Sequence, residues 1–171
     1  MTLEEVVRSI THADQNAAAQ AKTRWDSIAK PLGSLGALES AVIRMAAITG
    51  TPNVDISKRA VVVMCADNGV VADGVTQTGQ EVTAIVAENM STGDTSVCAM
   101  GRAAGVQIVP VDIGVATPLH GERILQRNIR RGAANLSQGP AMTREEAERA
   151  VLVGVEVARE LCDGGVKLLG T

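Results

Sequence analysis

An unbroken apolar run at residues 60–66, with three valines in succession, is the feature that most constrains how this chain can fold. A run rich in β-branched residues and without polar alternation predicts a strand that is buried on both faces. Such strands belong to parallel sheets, which helices cover on both sides. The run therefore predicts an α/β protein.

Two more predicted strands alternate with predicted helices along the rest of the chain. The strands are expected at residues 106–113 and 166–169, and the helices at 81–90, 95–104 and 143–162. On the first of these helices we expect the inward face to consist of Val82, Ile85, Val86 and Met90. Strands and helices at this spacing predict right-handed crossovers and a three-layer, Rossmann-like parallel sheet.

The first third of the chain has a helical pattern instead. Apolar residues at three- and four-residue steps predict one helix over residues 3–29, and Pro31 in the following Gly-containing segment interrupts it. Ser34 is expected to cap a second helix that ends near residue 50. We therefore predict two domains: a helical segment, residues 1–52, and the first part of the parallel α/β domain, residues 53–171.

Composition excludes several classes of function. Aromatic residues make up 1% of the chain and the net charge is -3, so it lacks the stacking rings and clustered cations of a nucleic-acid binder. No apolar run approaches the ~20 residues of a membrane span. The three cysteines are far apart, and neither His12 nor His120 has a neighbour that would complete a metal site. A cytoplasmic protein without a nucleic-acid, membrane or metal partner is expected.

A carboxylate followed by a glycine comes at the end of two predicted strands. These pairs are Asp67 with Gly69 and Asp112 with Gly114. Ligands of open parallel sheets bind outside the carboxyl ends of the strands, where such carboxylates can position a substrate. The alternative is that each Asp caps its own turn. The residues alone leave the two interpretations about equally supported.

The polar segment 74–81 precedes an apolar helix and contains Thr78 and Gln80. Its hydroxyl and amide groups are suited to hydrogen-bond a flat heteroaromatic base, with Val82 and Val86 in the apolar wall beneath. The alternative is an ordinary polar loop whose Glu81 favours the amino end of the helix. Spacing alone favours that alternative.

The chain also contains six short motifs whose order along the sequence resembles that of a known protein family. They lie at residues 30–39 (KPLGSLGALE), 65–70 (CADNGV), 79–84 (GQEVTA), 96–101 (SVCAMG), 111–114 (VDIG) and 139–143 (GPAMT). In order and spacing they resemble the amino-terminal half of the nicotinate-nucleotide:dimethylbenzimidazole phosphoribosyltransferase family. The resemblance covers nearly the whole chain, but family members are roughly twice as long. The fold is therefore expected to be incomplete relative to the family fold.

The resemblance implies an activity and its partners. Members of the family transfer phosphoribose from nicotinate mononucleotide to 5,6-dimethylbenzimidazole, which gives α-ribazole phosphate for the nucleotide loop of cobalamin. No cofactor is implied, and a homodimer is expected. The general-base glutamate and a Gly-Glu-Met-Gly-like phosphate loop are expected beyond Thr171. No catalytic residue is therefore assigned within the chain, and this truncated form is expected to be inactive alone. A non-catalytic binding module, or a structural half that needs a complementary chain, is the alternative.

The resemblance also suggests roles for single residues. Thr78 takes the position of a serine that contacts the benzimidazole, and Val86 takes that of a glutamine found in some members. Asn68 replaces a common histidine, while Asp67 and Gly69 keep their register. Asp112 and Gly114 resemble part of the nucleotide-side floor, and Asn135 belongs to a Gly-rich turn nearby. With Gln80 and Val82 of the base wall, these residues form the expected substrate site.

Overall fold

The computed structural model describes all 171 residues, and all but the first two lie in the continuous parts of two compact units, Leu3–Ile56 and Ser57–Thr171. The predicted domain boundary fell between residues 52 and 53, and the observed division falls between Ile56 and Ser57. No helix is both long enough and apolar enough to cross a membrane.

The first unit is helical, but its first helix is interrupted. It contains α1 (Leu3–Arg8), α2 (Gln15–Asp26) and α3 (Ala37–Thr49). The predicted single helix over residues 3–29 is wrong because Asp14 is the N-cap of α2. Its Oδ1 accepts hydrogen bonds from the backbone N–H groups of Asn16 and Ala17 at 2.8 and 3.0 Å. A carboxylate that satisfies these two amides begins a new helix.

The start of α3 also differs from the prediction. Ser34 does not cap it: the N-cap is Gly36, whose φ of +53° suits a glycine. Glu39, within the first turn, reaches back instead and accepts from the Leu35 N–H at 3.0 Å. The same carboxylate forms a 2.8 Å ion pair with Lys30. The loop before α3 is therefore organised by a side chain inside the helix.

The second unit contains a four-stranded parallel sheet, which confirms the predicted fold class. Its strands are β1 (Arg59–Ala66), β2 (Gln107–Gly114), β3 (Leu125–Gln126) and β4 (Leu168–Gly170), in the spatial order β3-β2-β1-β4. The two-residue β3 was not predicted, because it is too short to show a periodic pattern. The long strands β1 and β2 lie together at the centre, and their carboxyl ends reach the same edge of the sheet.

Helices cover both faces of this sheet. They are α4 (Glu81–Thr92), α5 (Ser96–Ala104) and α6 (Arg144–Asp163), and a short 3₁₀ helix, Gly69–Asp73, follows β1. Val62 of β1 and Val109 and Val111 of β2 pack against Val153 and Val157 of α6 in one core cluster. On the other face Cys65 packs with Ala87, Met90 and Cys98 in a second cluster. The three layers are those predicted.

The inward face of α4 was predicted with the wrong rotation. Met90 is buried as expected, but Ile85 and Val86 are 56% and 42% exposed, and the fully buried position is Ala87. The small Ala87 allows the helix backbone to approach the sheet closely, and this turns Val86 toward the carboxyl end of β1. The rotation leaves Val86 free to line a cleft.

Candidate functional site

Two cavities meet at the carboxyl end of β1, where parallel sheets bind their ligands. One, which we call the first cleft, has a volume of about 390 Å³, and the second cavity has about 140 Å³. Ala66, Asp67 and Asn68 border both of them. A larger groove of about 730 Å³ lies around the start of β2, away from the strand ends that carry the predicted residues.

The first cleft brings together six of the predicted site residues. Its lining includes Asp67, Asn68, Thr78, Gln80, Val82 and Val86, together with Val63, Cys65, Val71, Thr76, Thr83 and Met90. One wall is the apolar side of α4, and the opposite rim is the polar loop that follows β1. This combination of a flat apolar wall and a few polar groups is typical of a site for a small aromatic molecule. The substrate roles of the six residues stay predictions.

Two hydrogen bonds shape the rim of the first cleft. The Gln80 Nε2 donates to the Asn68 carbonyl oxygen at 3.1 Å, which ties the end of the loop to its beginning. The Thr76 hydroxyl donates to the Thr78 carbonyl oxygen at 2.5 Å. Thr78 itself is exposed and lines the first cleft.

Asp67 connects the end of β1 to the segments that follow β2. Its carboxylate accepts from the Ala116 N–H at 2.8 Å, and the side chain is nearly inaccessible. Its backbone N–H donates to the Gly114 carbonyl at 3.0 Å, and its carbonyl accepts from the Ala133 N–H at 2.9 Å. Asp67 therefore borders both cavities with a carboxylate that is already hydrogen-bonded within the chain.

Asp112 is completely buried, and three groups surround its carboxylate. Oδ1 accepts from the Val115 N–H at 2.9 Å and from the Asn128 Nδ2 at 2.7 Å, while Oδ2 forms a 3.0 Å ion pair with Arg131. The bond to Val115, three residues ahead, is the turn-capping geometry that the sequence left open. A ligand that touched Asp112 would have to displace one of these partners, so its substrate contact stays a prediction.

Asn128 was not identified from the sequence. It contacts Asp112 across sixteen positions of the chain and also donates to the Val115 carbonyl. No local pattern marks such a residue, because its role depends on how an irregular segment folds back.

The remaining predicted residues lie around the cavities. Gly114 lines the second cavity. Gly69 packs against backbone, since a Cβ there would lie 2.6 Å from the Ala134 carbonyl carbon. Asn135 lies outside both cavity linings, and its Nδ2 donates to Asp73 at 2.9 Å.

The first cleft holds little titratable chemistry of its own. Burial raises the pKa of the Cys65 thiol above its usual value, so this side chain contributes a neutral, apolar surface. No group of three or more His, Cys, Asp or Glu side chains is arranged to hold a metal ion. The lining of the first cleft is thus mainly apolar, with a few polar groups at its rim.

Comparison with known proteins gives consistent results. A family model described as phosphoribosyltransferase matches residues 10–171. A nicotinate-nucleotide–dimethylbenzimidazole phosphoribosyltransferase of Alkaliphilus metalliredigens is 44% identical over 99% of this chain and 49% of its own length. The enzyme of the same name from Clostridium acetobutylicum is 40% identical over 100% of this chain and 49% of its own length.

A solved structure agrees with these sequence matches. It is a nicotinate-nucleotide-dimethylbenzimidazole phosphoribosyltransferase from Thermus thermophilus, which superposes with a TM-score of 0.84 at 43% identity. The superposition covers 91% of this chain and 48% of the Thermus chain. The chain thus spans about half the length of the relatives it matches. It matches their amino-terminal half. On these matches, the chain belongs to the nicotinate-nucleotide–dimethylbenzimidazole phosphoribosyltransferase family.

Proposed function

We propose that this chain supplies the base-binding part of an enzyme that transfers phosphoribose from nicotinate mononucleotide to 5,6-dimethylbenzimidazole. The observation that carries the proposal is the first cleft, where Thr78 and Gln80 stand at a rim above the apolar Val82 and Val86. A volume of about 390 Å³ suffices for a bicyclic base. The names of the relatives support the choice of substrate class.

The chemistry of the transfer defines what the cleft must do. The lone pair of one benzimidazole nitrogen attacks C1 of the ribose, and the bond from C1 to the pyridine nitrogen breaks with its electron pair going to nicotinate. Attack from the opposite face inverts the anomeric carbon. The proton on the second benzimidazole nitrogen must then pass to a general base. The cleft contributes by holding the ring plane against α4 so that the attacking nitrogen is correctly oriented.

We propose that the general base lies outside residues 1–171. The carboxylate in the lining of the first cleft belongs to Asp67, which is 4% exposed and already hydrogen-bonded to Ala116. The resemblance implies a glutamate beyond Thr171 for this step. Because general-base catalysis typically contributes 10²–10⁴ in rate, we expect the chain alone to bind the base with little or no turnover.

Calorimetry with 5,6-dimethylbenzimidazole, paired with an assay of nicotinate release, tests the proposal. Micromolar binding to the 171-residue chain without turnover is the expected result. Absence of binding would refute the base-binding role. Turnover at the rate of a full-length relative would refute the assignment of the general base to residues outside the chain.

A structural half that needs a complementary chain is the alternative function. The exposed apolar side chains of the first unit favour it, among them Leu32 at 75% and Leu38 at 55% exposure. We propose a homodimer on the same observation. Size-exclusion chromatography with light scattering tests both proposals. A clean monomer would contradict the homodimer and also a structural half that needs a complementary chain.

We also propose that the protein works in the cytoplasm. The support is its three free cysteines, two of them buried, since a reducing compartment keeps such thiols unpaired. Cell fractionation with an antibody against the chain tests this, and recovery from an extracytoplasmic fraction would contradict it.

A further inference from the structure

Side-chain hydrogen bonds at Asp73 tie the loop that forms the rim of the first cleft to a distant part of the chain. The cleft-rim loop, residues 69–80, contains the 3₁₀ helix and then a polar stretch up to α4. Asp73, at the end of the 3₁₀ helix, accepts hydrogen bonds from Asn135 Nδ2 at 2.9 Å and from the Ser137 hydroxyl at 2.6 Å. Both partners lie more than sixty positions further along the chain, so these bonds fix the loop in three dimensions.

The two donors are held in place before they meet Asp73. Asn135 Oδ1 accepts from the Ser137 N–H at 2.9 Å, and the Asn135 carbonyl accepts from the Gln138 N–H at 3.1 Å. This closed turn orients the Asn135 amide and the Ser137 hydroxyl toward the same side. Little conformational entropy is then lost when they bind the carboxylate.

The two backbone segments near these bonds are also in close contact with each other. Gly69, at the start of the loop, packs so closely on residues 133–135 that a Cβ would lie 2.6 Å from the Asn135 nitrogen. The Ala133 N–H donates to the Asp67 carbonyl at 2.9 Å. The segment 133–137 is therefore anchored at the end of β1 and holds the loop from outside the cleft.

We propose that Asp73, Asn135 and Ser137 form a latch that holds the cleft-rim loop in its ligand-binding position. None of the three lines the first cleft, so they are positioning residues and do not touch the base. The inference rests on the proposed function, because the loop supplies Thr78 and Gln80 to the proposed base site. Loss of the latch lowers the population of the binding-competent loop, and the apparent Kd rises in proportion.

Two measurements on the 171-residue chain test the latch. Hydrogen exchange of the amides in the cleft-rim loop reports its closure without any ligand, and calorimetry with 5,6-dimethylbenzimidazole reports affinity. For Ser137→Ala we expect about threefold more frequent opening of the loop, which is read as faster exchange of its amides together with a higher Kd, and about tenfold more frequent opening for Asn135→Ala combined with Ser137→Ala. Ser137→Thr keeps the hydroxyl and restores both values. Exchange in α6 is expected to stay unchanged in these variants. This distinguishes loss of the latch from a general loss of stability, which would speed exchange in α6 as well.

The matched control is Thr92→Val, which removes another exposed hydroxyl–carboxylate bond, the 2.7 Å contact of Thr92 with Asp94 at the end of α4. It leaves both measurements at the wild-type value. Unchanged loop exchange in the double variant overturns the latch, whether or not the base binds. Faster loop exchange with an unchanged Kd overturns its role in affinity. If the wild-type chain binds no base while the double variant still exchanges faster, the latch stands and the proposed function fails.

Discussion

At the scale of single residues, the most concentrated set of interactions surrounds Asp112. Its carboxylate is inaccessible and engages Val115, Asn128 and Arg131. Between β2 and α6 the chain has no regular structure other than the two-residue strand β3. Side-chain bonds of this kind therefore replace a regular hydrogen-bond ladder there. Asp112 is therefore expected to stabilise the irregular segment beside the second cavity.

Asp112→Asn tests that role. The substitution removes the charge opposite Arg131 and turns an amide donor toward another donor, so we expect a loss of about 2–3 kcal/mol in the free energy of unfolding. Urea denaturation followed by circular dichroism measures it. The control is Asp94→Asn, at an exposed carboxylate, with an expected change below about 0.5 kcal/mol. Equal effects at the two sites would contradict the interpretation.

Gly69→Ala tests the close approach of two backbone segments. The added methyl would lie 2.6 Å from backbone atoms of Ala134 and Asn135, which have no rotamer through which to move away. We expect a cost of about 1–3 kcal/mol, measured by the urea midpoint. Gly139→Ala is the matched control, because nothing lies within 4 Å of its Cβ position and its φ is not positive. A stability of Gly69→Ala equal to that of the control would show that the segments separate easily.

At the scale of elements, predictability from the sequence followed length and pattern. The strand β1 and the helix α6, which begins at a capping box of Thr143 and Glu146, were predicted because each is encoded by neighbouring residues. The break before α2 was missed because apolar residues continue at helical steps across it, although Ser9, Thr11 and Asp14 are of types that favour caps and turns. The rotation of α4 was missed because Ala87 is a weak hydrophobic signal, although its small size decides the packing.

The same contrast holds for the candidate site. The residues of the first cleft follow β1 directly, so their grouping was predictable from the carboxyl end of a parallel strand. The latch and Asn128 depend on a segment more than a dozen residues away that lacks regular structure. Periodicity carries no information about such contacts, and the structure was needed to find them.

The amino end of α6 gives a prediction of pH dependence. Glu146 accepts from the Thr143 N–H at 2.8 Å and lies 3.4 Å from Arg130, and these contacts hold the pKa of its carboxyl below the usual value. A folded-state pKa below the unfolded one means that the carboxylate stabilises the fold above the unfolded pKa of about 4.5 and loses this effect as the pH falls through the folded pKa. We expect Glu146→Gln to reduce the difference between the urea midpoints at pH 7 and at low pH.

Glu145→Gln is the control for that experiment, because this neighbouring side chain is exposed on the same turn. It should keep the wild-type difference between the two midpoints. A Glu146→Gln protein with the full wild-type difference would show that the capping carboxylate is not a source of the pH dependence.

At the scale of the whole molecule, the proposed site lies entirely within the unit Ser57–Thr171, and the single tryptophan, Trp25, lies in the helical unit. A ligand that binds only folded protein stabilises it by about 2.7 kcal/mol at a concentration of 100 times its Kd. We therefore expect 5,6-dimethylbenzimidazole at that concentration to raise the urea midpoint of the sheet-containing unit, measured by hydrogen exchange in β1 and β2.

Nicotinamide, a smaller pyridine, serves as the comparison ligand and should give a smaller shift at equal concentration. Calorimetric binding without any rise in the midpoint of β1 and β2 would place the base somewhere other than the end of these strands. The tryptophan emission, followed in the same titration, then reports whether the helical unit gains stability as well.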